Sequence, residues 1–140
     1  MDARPPAPAP PRAGDGRRVL IVEDDEAIRH ALRRFLTRQG WAVDEAVEGE
    51  GALALLLAEG AAHYDVIISD LQMPGMSGIA LYDHLAARRP TLAGRMVVTT
   101  GDTFTDAARD FLARTGCEVL AKPFELAELR AVVERVAGRP

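Results

Sequence analysis

The sequence predicts one α/β domain, a three-layer sandwich in which a five-stranded parallel sheet carries helices on both faces. Three observations predict it. Apolar runs and helical repeats alternate regularly from Arg18 onward, and such alternation implies right-handed crossovers between parallel strands. Two of the runs, "RVLIVED" and "YDVIISD", are continuous rather than alternating, as in strands buried on both faces. Polar residues gather where the strands end, the edge at which open parallel sheets present their chemistry.

The elements follow in order. "MDARPPAPAPPRAGDG" contains five prolines and almost no large apolar residue, so residues 1–17 are expected to be a disordered tail serving as a linker. "RVLIVED" is the first strand. "DEAIRHALRRFLTRQG" places Ile28, Leu32, Phe35 and Leu36 at helical spacing, with Gly40 as the stop. "WAVDEA" is a short alternating strand, and "EGALALLLAEG" a helix closed by Gly60. "YDVIISD" is the third strand, followed by "SGIALYDHLAARR" with Ser77 as N-cap. "GRMVVTTGD", "TDAARDFLARTG", "CEVLAKPF" and "ELAELRAVVERVAG" complete five strands and five helices. In the last helix Leu126, Leu129, Val133 and Val136 form the expected apolar stripe. The domain is thus expected over residues 18–137, with 138–140 as a short C-terminal tail.

Composition narrows the function classes. A chain of 140 residues, 48% hydrophobic and 27% charged, has room for one ordinary core and hardly for two. The longest apolar run, Ala52 to Ala58, is far too short for a membrane span. No apolar signal-peptide core follows Met1, and the one cysteine, Cys117, allows no internal disulfide; both point to the cytoplasm. The net charge is −4, and residues 19–140 alone carry 13 basic and 19 acidic groups. An acidic domain of this kind is a poor direct ligand for nucleic acid.

The strand ends carry the chemistry. The first strand ends in Glu23-Asp24-Asp25, the third in Asp70, the fourth in Thr99-Thr100, and the fifth runs into Lys122. Clustered carboxylates are costly: two unit charges about 4 Å apart repel by roughly 4 kcal/mol at an effective dielectric near 20. An all-oxygen cluster is relieved by a hard cation, and without a D-x-D-x-D-G loop Mg²⁺ suits it better than Ca²⁺. Lys122 adds a positive point charge and Thr100 a hydroxyl. That set fits a phosphoryl group in transfer, where catalysis is positioning and charge neutralisation.

The segments "VLIVEDDEAIR", "DVIISDLQMPGMSG", "VVTTGD" and "AKPF", in this order and on these strand ends, resemble the receiver domains of two-component response regulators. The resemblance covers residues 18–137 and implies the flavodoxin-like strand order 2-1-3-4-5. It implies that Asp70 is the phosphoacceptor, forming an aspartyl-phosphate. Glu23 and Asp24 correspond to the acid pair, Asp24 as direct Mg²⁺ ligand and Glu23 through water, and the Gln72 backbone carbonyl completes the ligand set. Thr100 matches the switch hydroxyl and Lys122 the basic partner of the phosphoryl group. Lys122-Pro123 would be the family's cis peptide, which aims the lysine. Gln72 and Asp102 occupy the positions that tune phosphate lifetime.

One departure stands out: Val119 replaces the aromatic residue that often reports phosphorylation by rotating. The resemblance also implies partners: a histidine kinase or phosphotransfer protein as donor, and a downstream protein at the face of the fourth helix, fifth strand and fifth helix. The chain itself is expected to be a monomer or weak dimer with no attached output domain and no separate substrate turnover. "VVTTGDTFTDAARDFLARTG" is most similar to receivers at the C-terminal ends of hybrid histidine kinases.

Other signals read more simply. Asp25 and Glu26 favour the N-terminus of the first helix. His30, His63 and His84 lack metal-ligand spacing and read as surface residues, while Trp41, Cys117 and Val119 read as packing. "GEGALA" (Gly49 to Ala54) matches a dinucleotide fingerprint, but it follows the second strand, and Glu48 and Glu50 would face an anionic pyrophosphate. A haloacid-dehalogenase-type phosphatase would want D-x-D where the chain has Asp70-Leu71-Gln72. A receiver fold without chemistry is the remaining alternative, though every position the chemistry requires is filled.

Overall fold

The computed structural model describes residues 16–58, 63–101 and 105–139. Their elements run β1 (Arg18–Val22), α1 (Glu26–Arg38), β2 (Ala42–Ala46), α2 (Gly49–Leu57), β3 (Val66–Asp70), α3 (Gly78–Arg88), α4 (Pro90–Ala93), β4 (Met96–Thr100), α5 (Asp106–Thr115), β5 (Glu118–Ala121) and α6 (Leu126–Ala137). All strand pairs are parallel, in the order β2-β1-β3-β4-β5. This is the three-layer sandwich expected from the alternation, in the flavodoxin-like strand order that the resemblance implied. The expected tail and the Gly60 stop lie outside the described residues, apart from Gly16 and Arg17.

The continuous apolar runs are explained by burial on both sides. Along β1, Val19 and Ile21 face a layer with Leu32 and Leu36 of α1 and Leu129, Val132, Val133 and Val136 of α6. Leu20 and Val22 face the opposite layer, with Ala52 and Leu56 of α2, Leu81 and Leu85 of α3, and Phe111 of α5. Each such side chain contributes about 1.5–3 kcal/mol by leaving water. Edge strand β2 carries Asp44 and Glu45 instead, and charges there discourage pairing with another sheet edge.

Local signals set the helix ends. The Asp25 carboxylate accepts from the Ile28 N–H at 3.1 Å and Ser77 Oγ from the Ala80 N–H at 3.1 Å, so each satisfies a donor the helix start leaves open. At the far end of α5, Gly116 adopts φ 65° and its N–H bonds Leu112 O at 2.9 Å, the left-handed stop glycine allows. No helix among the described residues is long and apolar enough to cross a membrane.

Two expectations need correction. The described residues contain six helices rather than five, because Pro90 starts an extra single turn, α4, between α3 and β4. The fourth and fifth predicted helices are therefore α5 and α6. Leu126, expected in the apolar stripe of α6, is 52% exposed. As the first residue of that helix it stands outside the core, and Val132 takes its place there.

The packing also reaches toward the strand ends. Gly78, at the start of α3, lies so close to the β3 terminus that a Cβ there would meet the Asp70 carbonyl oxygen at 2.5 Å and Leu71 Cα at 2.9 Å. Both obstacles are backbone. Gly78→Ala is expected to destabilise the fold by about 1–3 kcal/mol through overpacking, measured by urea denaturation; unchanged stability would contradict this tight approach.

Candidate functional site

Side-chain parity brings the charged groups together. Glu23 continues the series Val19, Ile21; Asp70 continues Val66, Ile68; Lys122 continues Leu120, just past β5. All three thus belong to the layer of α1 and α6, at the carboxyl edge of the sheet. Because β1 and β3 are neighbours, the acids that end them are adjacent. Glu23, Asp24 and Asp70 each offer a carboxylate oxygen, and these atoms lie within 4.8 Å of one another.

Lys122 Nζ bridges the cluster. It donates to Glu23 Oε1 at 2.8 Å and to Asp70 Oδ2 at 3.2 Å. Its own N–H donates to the Thr100 carbonyl at 2.7 Å, which ties the start of the β5–α6 connection to the end of β4. The Lys122-Pro123 peptide is cis. Asp70 Oδ1 accepts from the Gln72 N–H at 3.1 Å, so the loop after β3 folds back over the carboxylate. Asp24 is exposed, whereas Glu23 is buried to 2% and the Asp70 side chain is 12% exposed.

The remaining predicted residues fall as follows. Thr100 is buried at the end of β4, on the parity of Val98, while its neighbour Thr99 pairs in register with Asp70. Val119 is partly buried against the α2–α3–α5 core. Asp102 lies outside the described residues. The histidines are exposed, and His63 bonds Asp65 and Arg95 rather than the site. Gly49 has a packing role: a Cβ there would meet Met76 O at 2.6 Å. Cys117 sits against Met96 O, and burial pushes its thiol up to about 12.

Some contributors carried no legible role in the sequence. The Arg29 guanidinium donates to the Glu23 carbonyl at 2.9 Å, and Glu50 Oε1 accepts from the Met76 N–H at 3.1 Å in the loop after β3. Arg29 lies within "VLIVEDDEAIR", but only the tertiary path of α1 brings it onto that carbonyl.

The electrostatics describe a site short of positive charge. Burial raises the Glu23 carboxyl above its ordinary 4.5, the Lys122 hydrogen bond opposes this, and the Asp70 charge adds to the rise. Burial works against the Lys122 charge, but its bonds to Glu23 and Asp70 outweigh it and hold the pKa above 10.5. An all-oxygen donor set with one buried member and one exposed, solvent-facing member fits a hard cation that keeps some water. Asp24, Asp70 and Glu23 would hold it, and the loop at Gln72 lies alongside.

The direction at Glu23 gives a pH dependence. Its folded pKa exceeds the unfolded one, so its share of metal-free stability is full below the unfolded value and is lost as pH rises through the folded value. Carboxyl-resolved NMR titration of the metal-free protein should show Glu23 titrating above 4.5, and higher still in Lys122→Met. A Glu23 titration at or below the ordinary value would contradict this balance.

Comparison with known proteins agrees with the geometry. Residues 19–134 match the family model of the response regulator receiver domain. The chain is 35% identical over 117 residues to the DNA-binding transcriptional regulator NtrC of Salmonella typhimurium, covering 84% of this chain and 24% of that protein. It is 33% identical over 122 residues to the transcriptional regulatory protein ResD of Bacillus subtilis, covering 87% and 48%. The chain therefore spans from about a quarter to about half the length of these curated relatives. Among solved structures, FixJ-N matches with a TM-score of 0.76 at 28% identity, covering 90% of this chain and 97% of that one. The response regulator TrrA of Thermotoga maritima, solved in complex with Mg²⁺-BeF, matches with a TM-score of 0.70 at 27% identity, covering 86% and 98%. With the strand order, the acidic edge and the matched residues in agreement, the chain belongs to the response regulator receiver domain family.

Proposed function

We propose that the chain accepts a phosphoryl group on Asp70 from a histidine kinase or phosphotransfer protein, in a Mg²⁺-dependent reaction, and signals by partner binding. The observation that carries this reading is the Lys122 ammonium, 2.8 Å from Glu23 and 3.2 Å from Asp70, inside a cluster of three carboxylates. A phosphoryl group on Asp70 brings oxygens that need the same compensation. In the transfer an Asp70 carboxylate oxygen attacks phosphorus, the bond from phosphorus to the donor histidine nitrogen breaks, and an acyl phosphate forms. Asp24 and Asp70, with Glu23 and the Gln72 carbonyl in support, would hold Mg²⁺, which when bound would neutralise charge on the phosphoryl oxygens.

The chain's own groups do the rest. Lys122 turns from its carboxylate partners to the incoming oxygens, and Thr100 supplies a hydroxyl from the end of β4. Gln72 influences how quickly water removes the phosphoryl group, the role the family resemblance also assigns to Asp102. The reaction is confined to loading and losing phosphate at Asp70, with no turnover of a separate substrate.

One further feature supports the partner side of this reading. An open groove of about 490 Å³ between α1 and the β5–α6 connection is lined by Ile28, Ala31, Phe124 and Leu126 and borders Lys122, which suits the approach of a helical donor. The face of α5, β5 and α6 is the output surface. With Val119 in place of an aromatic, Thr100 and the β4 end carry the change there without ring rotation. The kinase-fed cytosol is the compartment this role requires.

Incubation with a small phosphoryl donor, followed by intact mass, tests the reading. One phosphoryl group should be gained with Mg²⁺ present, and none after chelation or in Asp70→Asn. Absence of any gain in the wild type would favour a phosphate-independent binding module, and sustained hydrolysis of unrelated phosphate esters would favour a phosphatase.

A further inference from the structure

Arg29 is a largely buried cation that joins the backbone of the acid pair to Glu45 on β2. Its side chain is 15% exposed, and its Nη1 donates to the Glu23 main-chain carbonyl at 2.9 Å. Its Nε lies 3.6 Å from Glu45 Oε1 on β2. That oxygen is buried without a hydrogen-bond partner, so the Arg29 charge is what offsets it. Arg33, one turn on, holds the other Glu45 oxygen at 3.3 Å.

The carbonyl that Arg29 grips lies beyond the sheet. The Glu23 N–H still bonds Ala46 O at 3.1 Å, but its C=O points past the last register pair, Val22 with Ala46. Helix α1 starts only at Glu26. The peptide joining Glu23 to Asp24 is planar, so its oxygen and both Cα atoms move as one unit. A donor fixed on that oxygen removes the swivel about this unit. It thereby sets the directions in which both acidic side chains leave the backbone.

We propose that Arg29 is a positioning residue for the cation site: clamped by Glu45, it locks the Glu23–Asp24 peptide so that both carboxylates are aimed before the cation arrives. This rests on reading the cluster as a Mg²⁺ site. The guanidinium is suited to the task because one rigid, delocalised plane donates an N–H to the carbonyl while holding its charge 3.6 Å from the Glu45 carboxylate. A lysine could serve only as a point donor.

Isothermal titration with Mg²⁺, paired with thermal melting in chelator, tests the proposal. Removing a group that orients metal ligands typically weakens metal binding by a factor of about 10 or more. Arg29→Gln should therefore raise the Mg²⁺ Kd about tenfold, with Arg29→Lys recovering part of the loss. Glu45→Gln, which releases the clamp, should weaken binding by a smaller factor. Arg33→Gln touches Glu45 but not the Glu23 carbonyl, and should change melting without a comparable change in Kd. A wild-type protein that takes up no Mg²⁺ would overturn the metal site itself. A wild type that binds Mg²⁺, with Arg29→Gln and Glu45→Gln binding equally well, would overturn the positioning role alone. Should Arg29→Gln fail to fold, Arg29→Lys and Glu45→Gln decide the question by the same readout.

Discussion

The Lys122 ammonium sits between Glu23 and Asp70, at 2.8 Å and 3.2 Å, and so joins the ends of β1, β3 and β5 at one point. The order β2-β1-β3-β4-β5 places the two acids on adjacent strands and the lysine two strands from Asp70. Its reach spans the end of β4, where its backbone is held to Thr100. Removing the lysine would leave two largely buried carboxylates facing each other, which costs far more than losing an exposed surface pair. One cation for three carboxylates leaves the cluster negative. That imbalance is of the sign a divalent cation would offset.

The surrounding fold keeps this arrangement rigid. Two apolar layers hold β1, β3 and β4 on both faces, so the residues that end these strands inherit fixed positions. Gly78 lets α3 start against the Asp70 carbonyl, and the Gln72 N–H returns to the Asp70 carboxylate. Each of these contacts is local to the carboxyl edge. The candidate site is thus concentrated where the core stops.

Much of this was legible in the chain. The strands were legible because doubly buried strands leave continuous apolar runs, and Asp70 and Lys122 because they interrupt or follow such runs. The extra turn α4 was not, since four residues are too few for any periodicity to register. Leu126 followed the helical repeat but stands at the helix start, beyond the layer its repeat partners fill. Arg29 was visible as a residue of the first helix, yet its bond to the Glu23 carbonyl depends on how α1 returns across the sheet edge. Gly78 looked like a residue following a helix cap; only the packed β3 terminus shows why a side chain has no room there.

The central claim is that Asp70, Lys122 and the acid pair form one phosphoryl and cation site. A crystal structure grown with Mg²⁺ and beryllofluoride, a mimic of the phosphoryl group, tests it most directly. Beryllofluoride is expected on an Asp70 carboxylate oxygen, with Lys122 Nζ bonded to a fluorine and Mg²⁺ ligated by Asp24 and Asp70. Beryllofluoride on another carboxylate, or an Asp70 adduct with Lys122 still bound only to Glu23, would contradict it.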